Sequence, residues 1–307
     1  MRLVSGLSIN VTNKNKPARM TLPHTILAVF INLLWGSMFI AASIGLEEFP
    51  PVLFTGVRFL LLVVCLSMFL RVRRDQVKPL LFIGLLLGAG MYLTLYLSIA
   101  LANNVSSIAI FSKLEVPFAI ILGIVLLHEK VGIRRTVGIV VAVIGAAIIT
   151  FDPSAFDDLP ALFWMAVSCA FSAYGMIKVR EFGDIHPLTI TAWVSLVGGP
   201  VLLLISLVFE SGQIDAIQNA SLVGWSALVY TAVMSSVIAH SAFYYLLQRY
   251  PVNQVAPYSL LSPVFAVIGG VLILGDELTP ALVLGATLIL SGVAWIQYRT
   301  RVREEAG

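Results

Sequence analysis

Residues 107–145 read SIAIFSKLEVPFAIILGIVLLHEKVGIRRTVGIVVAVIG, an apolar run with Lys113, Glu115 and Pro117 set inside it. An ammonium and a carboxylate this deep in an apolar block are costly in hydrocarbon and point to a pairing or a function. The plan of the stretch returns between Leu247 and Gly292. Pro117 is answered by Pro263, Glu129 by Glu277, and the pair Gly138 and Gly145 by Gly285 and Gly292, at an offset of about 147 residues. Two related halves, each with polar groups inside apolar segments, describe a duplicated membrane protein rather than two soluble domains.

Composition leads to the same class. Of 307 residues, 59% are hydrophobic and 11% charged, against roughly 45–50% and about 25% in soluble domains. The apolar material falls into about ten blocks of roughly 18–23 residues, each long enough to cross a hydrocarbon core of about 30 Å as a helix. The blocks are expected near 24–44, 52–70, 79–99, 105–127, 132–151, 160–178, 187–209, 222–246, 252–274 and 280–298. Cys65 and Cys169 lie in separate apolar blocks without CxxC spacing or His neighbours, so they read as packing residues, with no metal and no disulfide framework. Residues 1–21 form a basic tail without the apolar core of a signal peptide.

Charge placement tests the helix count, because Lys and Arg near membrane helices stay on the cytoplasmic side. With the amino terminus inside, the tail (Arg2, Lys14, Lys16, Arg19) and the even-to-odd connections (Arg71, Arg73, Arg74, Lys78; Lys130, Arg134, Arg135; Lys178, Arg180; Arg249) fall inside, as do Arg299, Arg301 and Arg303. Only Arg58 and Lys113, of the 19 basic residues, remain, and both sit within helices. The opposite loops hold acids: Glu47, Glu48, Asp152, Asp157, Asp158, Glu210, Asp215, Asp276 and Glu277. An odd number of helices per half makes the second half enter from the other side, so the repeats are inverted. That arrangement gives a transporter two mirror-related conformations around a midplane site. The expected organisation is an all-α polytopic membrane protein of ten helices: a tail over 1–21, a first five-helix repeat over 22–151, a second over 152–299 and a cytoplasmic tail over 300–307. Pro51 and Pro187 correspond at a shorter offset, which places extra residues of the second half in the polar loop from Glu210 to Ser221.

The residues also resemble a known group, the EamA family of the drug/metabolite transporter superfamily. The resemblance rests on Leu34-Trp35-Gly36-Ser37 in helix 1, Val57-Arg58-Phe59 in helix 2, and two copies of a proline helix ending in an acidic turn. Those copies run from Pro117 to Leu127-His128-Glu129 and from Ser262-Pro263-Val264-Phe265 to Leu274-Gly275-Asp276-Glu277. It covers residues 22–299. It implies a basket in which helices 1–4 and 6–9 surround a central cavity while helices 5 and 10 pack outside. It also implies export or facilitated passage of small metabolites, often amino acids, across the cell inner membrane. His128 departs from the usual Gly of the first acidic turn, and Lys113 with Glu115 departs from the usual helix 4.

Arg58 is expected roughly 10 Å below the outer end of helix 2, and Lys113 and Glu115 roughly 12–15 Å below that of helix 4, so the three can meet at one level. One reading makes Arg58 and Glu115 a structural ion pair. The other has the cluster contact the charged ends of a zwitterionic or acidic solute, with Glu115 as the first candidate for proton coupling and His240 the second. Trp35, Tyr92 and Tyr96 are candidate cavity residues, the two tyrosines sharing a helix face. Pro117, Pro257 and Pro263 are expected to bend helices 4 and 9, with Gly269 and Gly270 easing close approach. The glycines Gly138, Gly145, Gly285 and Gly292 are expected to pack helix on helix. His24, His186, Tyr244, Tyr245 and Tyr250 read as interfacial. No nucleophile-and-base motif, His-Glu-x-x-His set or phosphate-cradling loop is present, which argues against an enzyme and against direct use of ATP. A channel or lipid scramblase fits the composition as well. Expected partners are a small-molecule substrate and the bilayer, with no nucleic acid and no cofactor, in a chain that is a monomer or a dimer.

Overall fold

A computed structural model of the chain describes residues 20–127, 133–151, 153–181, 185–247, 249–250 and 255–306. It is all-helical among the described residues. Six helices are long and apolar enough to cross a membrane: α1 (Leu22–Leu46), α3 (Arg74–Leu101), α4 (Val105–Leu126), α6 (Phe156–Val179), α7 (Pro187–Phe209) and α8 (Leu222–Phe243). Four shorter apolar helices fall between and after them: α2 (Pro51–Cys65), α5 (Thr136–Thr150), α9 (Tyr258–Leu274) and α10 (Pro280–Ile296).

Several ends differ from the sequence expectation. The second helix, expected to reach residue 70, leaves α geometry at Leu66 (φ −107°, ψ 16°) and continues as a 3₁₀ turn, Ser67–Phe69. The third begins before Pro79, because the Gln76 side chain accepts from the Arg73 backbone N–H at 3.2 Å and adds a capped turn ahead of the proline. The helix over α10 runs on to Ala306, into the segment read as a tail. The polar insertion after Glu210 contains its own short helix, Gln213–Asn219. His128, Glu129 and the chain from Pro251 to Gln254 lie outside the described residues.

Contacts between neighbours close a ring in the order α1, α9, α4, α6, α3, α7, α2, α8 and back to α1. The last pair, α5 and α10, pack chiefly on each other. Exchanging each helix with the one five places along the chain carries this ring onto itself. The seam between α5 and α10 has the same property at the residue level. A Cβ built on Gly145 lands 2.6 Å from the Gly285 carbonyl oxygen, and one on Gly292 lands 2.6 Å from the Gly138 oxygen. Gly138 therefore faces Gly292 and Gly145 faces Gly285, an antiparallel contact in which each residue meets the counterpart of the other, as in an isologous interface. Only a hydrogen atom fits where two backbones approach this closely.

The family motifs meet in the same manner. A Cβ on Gly36, in the Leu-Trp-Gly-Ser segment of α1, lands 2.5 Å from the carbonyl oxygen of Ser262 in the Ser-Pro-Val-Phe segment of α9. The helix irregularities track the prolines: 3₁₀ geometry at Ser112–Leu114 precedes Pro117, and at Ala256–Leu260 it includes Pro257 and precedes Pro263. Proline lacks the N–H that closes the preceding turn, so the turn tightens there. Three wider π stretches were not foreseen: Gly84–Met91 in α3, Tyr230–Ala239 in α8 and Gly270–Leu274 in α9.

Gly145→Val is expected to lower the thermal midpoint of the purified protein, since overpacking costs typically 1–3 kcal/mol. Gly199→Ala, whose added methyl meets its nearest atom at 3.2 Å, is expected to cost less. Equal midpoints for the two variants in a detergent melting assay would refute the close-approach account.

Candidate functional site

The π stretch of α3 ends at Met91, immediately before Tyr92, and the π stretch of α8 contains Thr231 and Ser236. Between them stands Arg58 of α2, buried with 1% of its surface exposed. Its Nη2 donates to the Thr231 carbonyl oxygen at 3.2 Å and to the Ser236 hydroxyl. The guanidinium carbon lies 5.0 Å from the centre of the Tyr92 ring, 5.6 Å from Phe59 and 5.7 Å from Tyr96. Tyr92 and Tyr96 share one helix face, as expected, with rings 6.4 Å apart and nearly parallel. Aromatic faces attract a guanidinium by about 0.5–2 kcal/mol when desolvated, but they do not neutralise it.

No ion pair joins Arg58 to a carboxylate: among the described residues the ion pair found is Arg73 with Asp75, at 3.3 Å on the surface. The expected Arg58–Glu115 pair is therefore corrected. The physical reason is lateral: α2 and α4 are not neighbours in the ring. Glu115 instead accepts from the Ser172 hydroxyl of α6 at 2.9 Å. Lys113 is in the 3₁₀ turn ahead of it. On the same α6 face, the buried Cys169 thiol points its Sγ at the Ser112 carbonyl oxygen, 3.5 Å away. The polar groups thus form two clusters, one around Arg58 against α3 and α8 and one around Glu115 against α6.

Trp35 and His240 belong with the first cluster. Their rings meet edge to face at 5.3 Å, and Trp35 also meets Phe243 at 5.3 Å. His240 Nδ1 lies 2.9 Å from the Ser235 carbonyl oxygen, and Ser236, which holds Arg58, is one turn earlier on α8. Among the described residues, buried polar atoms without a hydrogen-bond partner include Arg58 Nε and Nη1 and Trp35 Nε1 of this cluster, besides Asn32 Oδ1 on α1 and Ser206 Oγ on α7. Most buried polar atoms in proteins are satisfied, so the unpaired atoms of Arg58 and Trp35 mark a region built for something besides packing. Thr231 and Ser172 were not singled out from the sequence, since one hydroxyl in an apolar helix carries no spacing signal, whereas Ser236 stands in the Ser235, Ser236 and Ser241 group around His240.

Acidic loops gather at one end of the bundle and do specific work there. Glu210, after α7, accepts from the Val52 and Leu53 N–H groups at the start of α2 at 2.8 and 2.9 Å. Glu48, after α1, accepts from the Ser221 N–H and hydroxyl at the start of α8. Asp276, after α9, accepts from the Ser106 N–H at 2.7 Å and hydroxyl at 2.6 Å at the start of α4, and Asp158 accepts from the Asn103 N–H at 2.6 Å. A carboxylate suits a helix N-terminus both as acceptor and as negative charge. His24 and His186, read as interfacial, sit at the starts of α1 and α7, and Tyr250, read the same way, is buried in a hydrophobic cluster. His24 Nδ1 lies 2.7 Å from the Tyr250 hydroxyl, and His186 stacks on Phe69 at 5.3 Å. The side chain of Tyr244 is outside the described residues.

Residues 23–151 and 159–298 each match the EamA-like transporter family. The chain is 27% identical over 289 residues to a probable amino-acid metabolite efflux pump of Salmonella typhimurium, covering 91% of this chain and 96% of that protein. It is 28% identical over 264 residues to the uncharacterized inner membrane transporter YedA of Escherichia coli K12, covering 80% and 81%. It is 25% identical over 295 residues to an S-adenosylmethionine/S-adenosylhomocysteine transporter of Chlamydia trachomatis, covering 89% of each. A solved crystal structure at 17% identity superposes with a TM-score of 0.63 over 93% of this chain and 100% of that one, a likeness of fold.

Removing a cap at the acidic end is expected to weaken it. Glu210→Ala strips the acceptor from two N–H groups and is expected to cost about 0.5–2 kcal/mol in a melting assay, with Glu210→Gln milder because an amide oxygen remains. Hydrogen bonds from Ser221 hold the Glu48 carboxyl below the usual carboxylate range. The stability from Glu48 is thus present above its unfolded-state pKa and lost as pH falls through the lower folded-state value. In Glu48→Gln this part of the acid sensitivity is expected to vanish, and an unchanged acid limb would refute the assignment.

Proposed function

We propose that this chain, which belongs to the EamA-like transporter family, is a secondary transporter that exports small polar metabolites, or facilitates their passage, by alternating access. Amino acids or related zwitterions are the best-fitting substrates. The protein is a multi-pass membrane protein, and the relatives described above are named as transporters or an efflux pump. In this reading ten helices cross the inner membrane as two inverted five-helix repeats over 22–151 and 152–299, with both termini cytoplasmic and the acidic end outside.

The observation that carries the reading is Arg58, a charge buried inside the ring of eight helices without a carboxylate partner among the described residues. Intramembrane charges normally line a substrate path or pair with one another. The ring that maps onto itself supports the inverted repeat, because a scaffold with two equivalent halves has two related ways to open. Trp35, Tyr92, Tyr96 and Arg58 would line the substrate site, with Lys113 and Glu115 on the facing side of the ring. Glu115, held by a single hydroxyl, is the first candidate for proton coupling, and His240, packed on Trp35, the second. Pro117, Pro257 and Pro263 sit where α4 and α9 change geometry, which suits them to bend during opening. The capped acidic end is then the closed gate of this conformation.

The test is flux in proteoliposomes over a panel of amino acids and related metabolites. Saturable, trans-stimulated flux is expected, and linear, unsaturable flux means a channel instead. Glu115→Gln is expected to abolish the response of that flux to an imposed proton gradient while the purified protein stays folded. A full response in Glu115→Gln would remove the residue from coupling.

A further inference from the structure

Arginine has five N–H donors and no acceptor. In Arg58 the two on Nη2 are engaged by Thr231 and Ser236, which fixes the plane of the guanidinium. The three on Nε and Nη1 make no hydrogen bond to the protein, although the side chain is buried. Phe59, Tyr92 and Tyr96 lie around the group, with ring centres 5.6, 5.0 and 5.7 Å from its carbon. Trp35 Nε1, close to His240 one turn along α8 from Ser236, is a further buried donor without an acceptor. The unpaired atoms of Arg58 and Trp35 are all N–H donors, and the formal charge of Arg58 is positive.

We infer that the Nε and Nη1 groups of Arg58 are the receptor for a carboxylate of the substrate. The inference rests on the transport reading above and narrows it: an anionic group is obligatory in what this protein carries, and an ammonium is not. A planar carboxylate matches guanidinium donors in geometry and charge. It also explains why the described residues offer Arg58 no counter-ion. A fixed Asp or Glu would neutralise the site permanently and leave nothing for the substrate to contribute. Glu115 stays with Ser172 on the other side of the ring and does not compete. Compounds that differ only by loss of that charge leave the three donors unpaired, and such sites discriminate strongly against analogues lacking the partner group.

The experiment uses the full-length protein in proteoliposomes and compares L-phenylalanine, L-leucine and L-threonine, each with its amide, its decarboxylated amine and its deaminated acid. Expected is saturable flux of at least one amino acid, with the corresponding deaminated acid inhibiting it and the amide and amine inert. Arg58→Lys keeps the charge with fewer donors in a different geometry. It is expected to fold and to raise KM for the carried acid about tenfold to a hundredfold, the loss of one charge-assisted contact. Thermal stabilisation of the purified variant by the same acid is expected to be lost in parallel. Amides or amines carried as well as the acids overturn the inference while leaving the transporter reading intact. So does an unchanged KM in Arg58→Lys. Unsaturable flux of the whole panel overturns the transporter reading, and the inference falls with it.

Discussion

In hydrocarbon no water is available to a backbone N–H or C=O, so every one must be satisfied within the protein. Regular helix solves this along its length but leaves open its ends and any interruption, and the fold is organised around those places. At the acidic end the exposed N–H groups of α2, α4 and α8 are closed by carboxylates from other loops: Glu210, Asp276 and Glu48. Inside the bundle the π and 3₁₀ stretches release carbonyls from the regular ladder, and at three of them a side chain of a neighbouring helix donates. Arg58 reaches Thr231, Ser168 reaches Met91 at 3.0 Å, and Cys169 reaches Ser112. The irregular segments and the polar side chains are therefore one feature seen from two helices. They also sit where α3, α4, α8 and α9 would need to flex in the proposed cycle.

Much of this was legible in the sequence because the bilayer imposes simple rules. Block length and the split of Lys and Arg from Asp and Glu depend on local composition, and Glu48, Asp158, Glu210 and Asp276, read as loop acids, meet at one end of the bundle. The duplicated glycines were readable because close backbone approach tolerates nothing else at Gly138, Gly145, Gly285 and Gly292. Which side chains meet was less legible. Depth along a helix follows from counting at about 1.5 Å per residue, whereas lateral neighbours follow from the order of helices in the ring. Arg58 and Glu115 were given matching depths, yet α8 and α3 stand beside the first and α6 beside the second. The π stretches left no trace in periodicity, since one extra residue per turn keeps an apolar sequence apolar.

The scaffold repeats and the chemistry does not. At the corresponding place in the second half Arg58 is replaced by Val194, a buried apolar residue, and the places of Lys113 and Glu115 fall at Ser259 and Leu261. In the proposed cycle a symmetric ring would give the two access states similar packing, so that neither is strongly preferred by the core. A single charge on one side of the pseudo-axis breaks that balance, because opening toward either end changes what surrounds it. In the conformation described here Arg58 is held by α8 alone, through Thr231 and Ser236, while its remaining donors face no protein acceptor. Within the proposed cycle, a carboxylate arriving there completes the shell of a cation that α8 otherwise holds by one nitrogen. That ties the position of α8 to occupancy of the site. The N-terminus of the same helix is the one that Glu48 caps at the acidic end, so in the proposed cycle the helix that senses the substrate would also be the one that releases the gate.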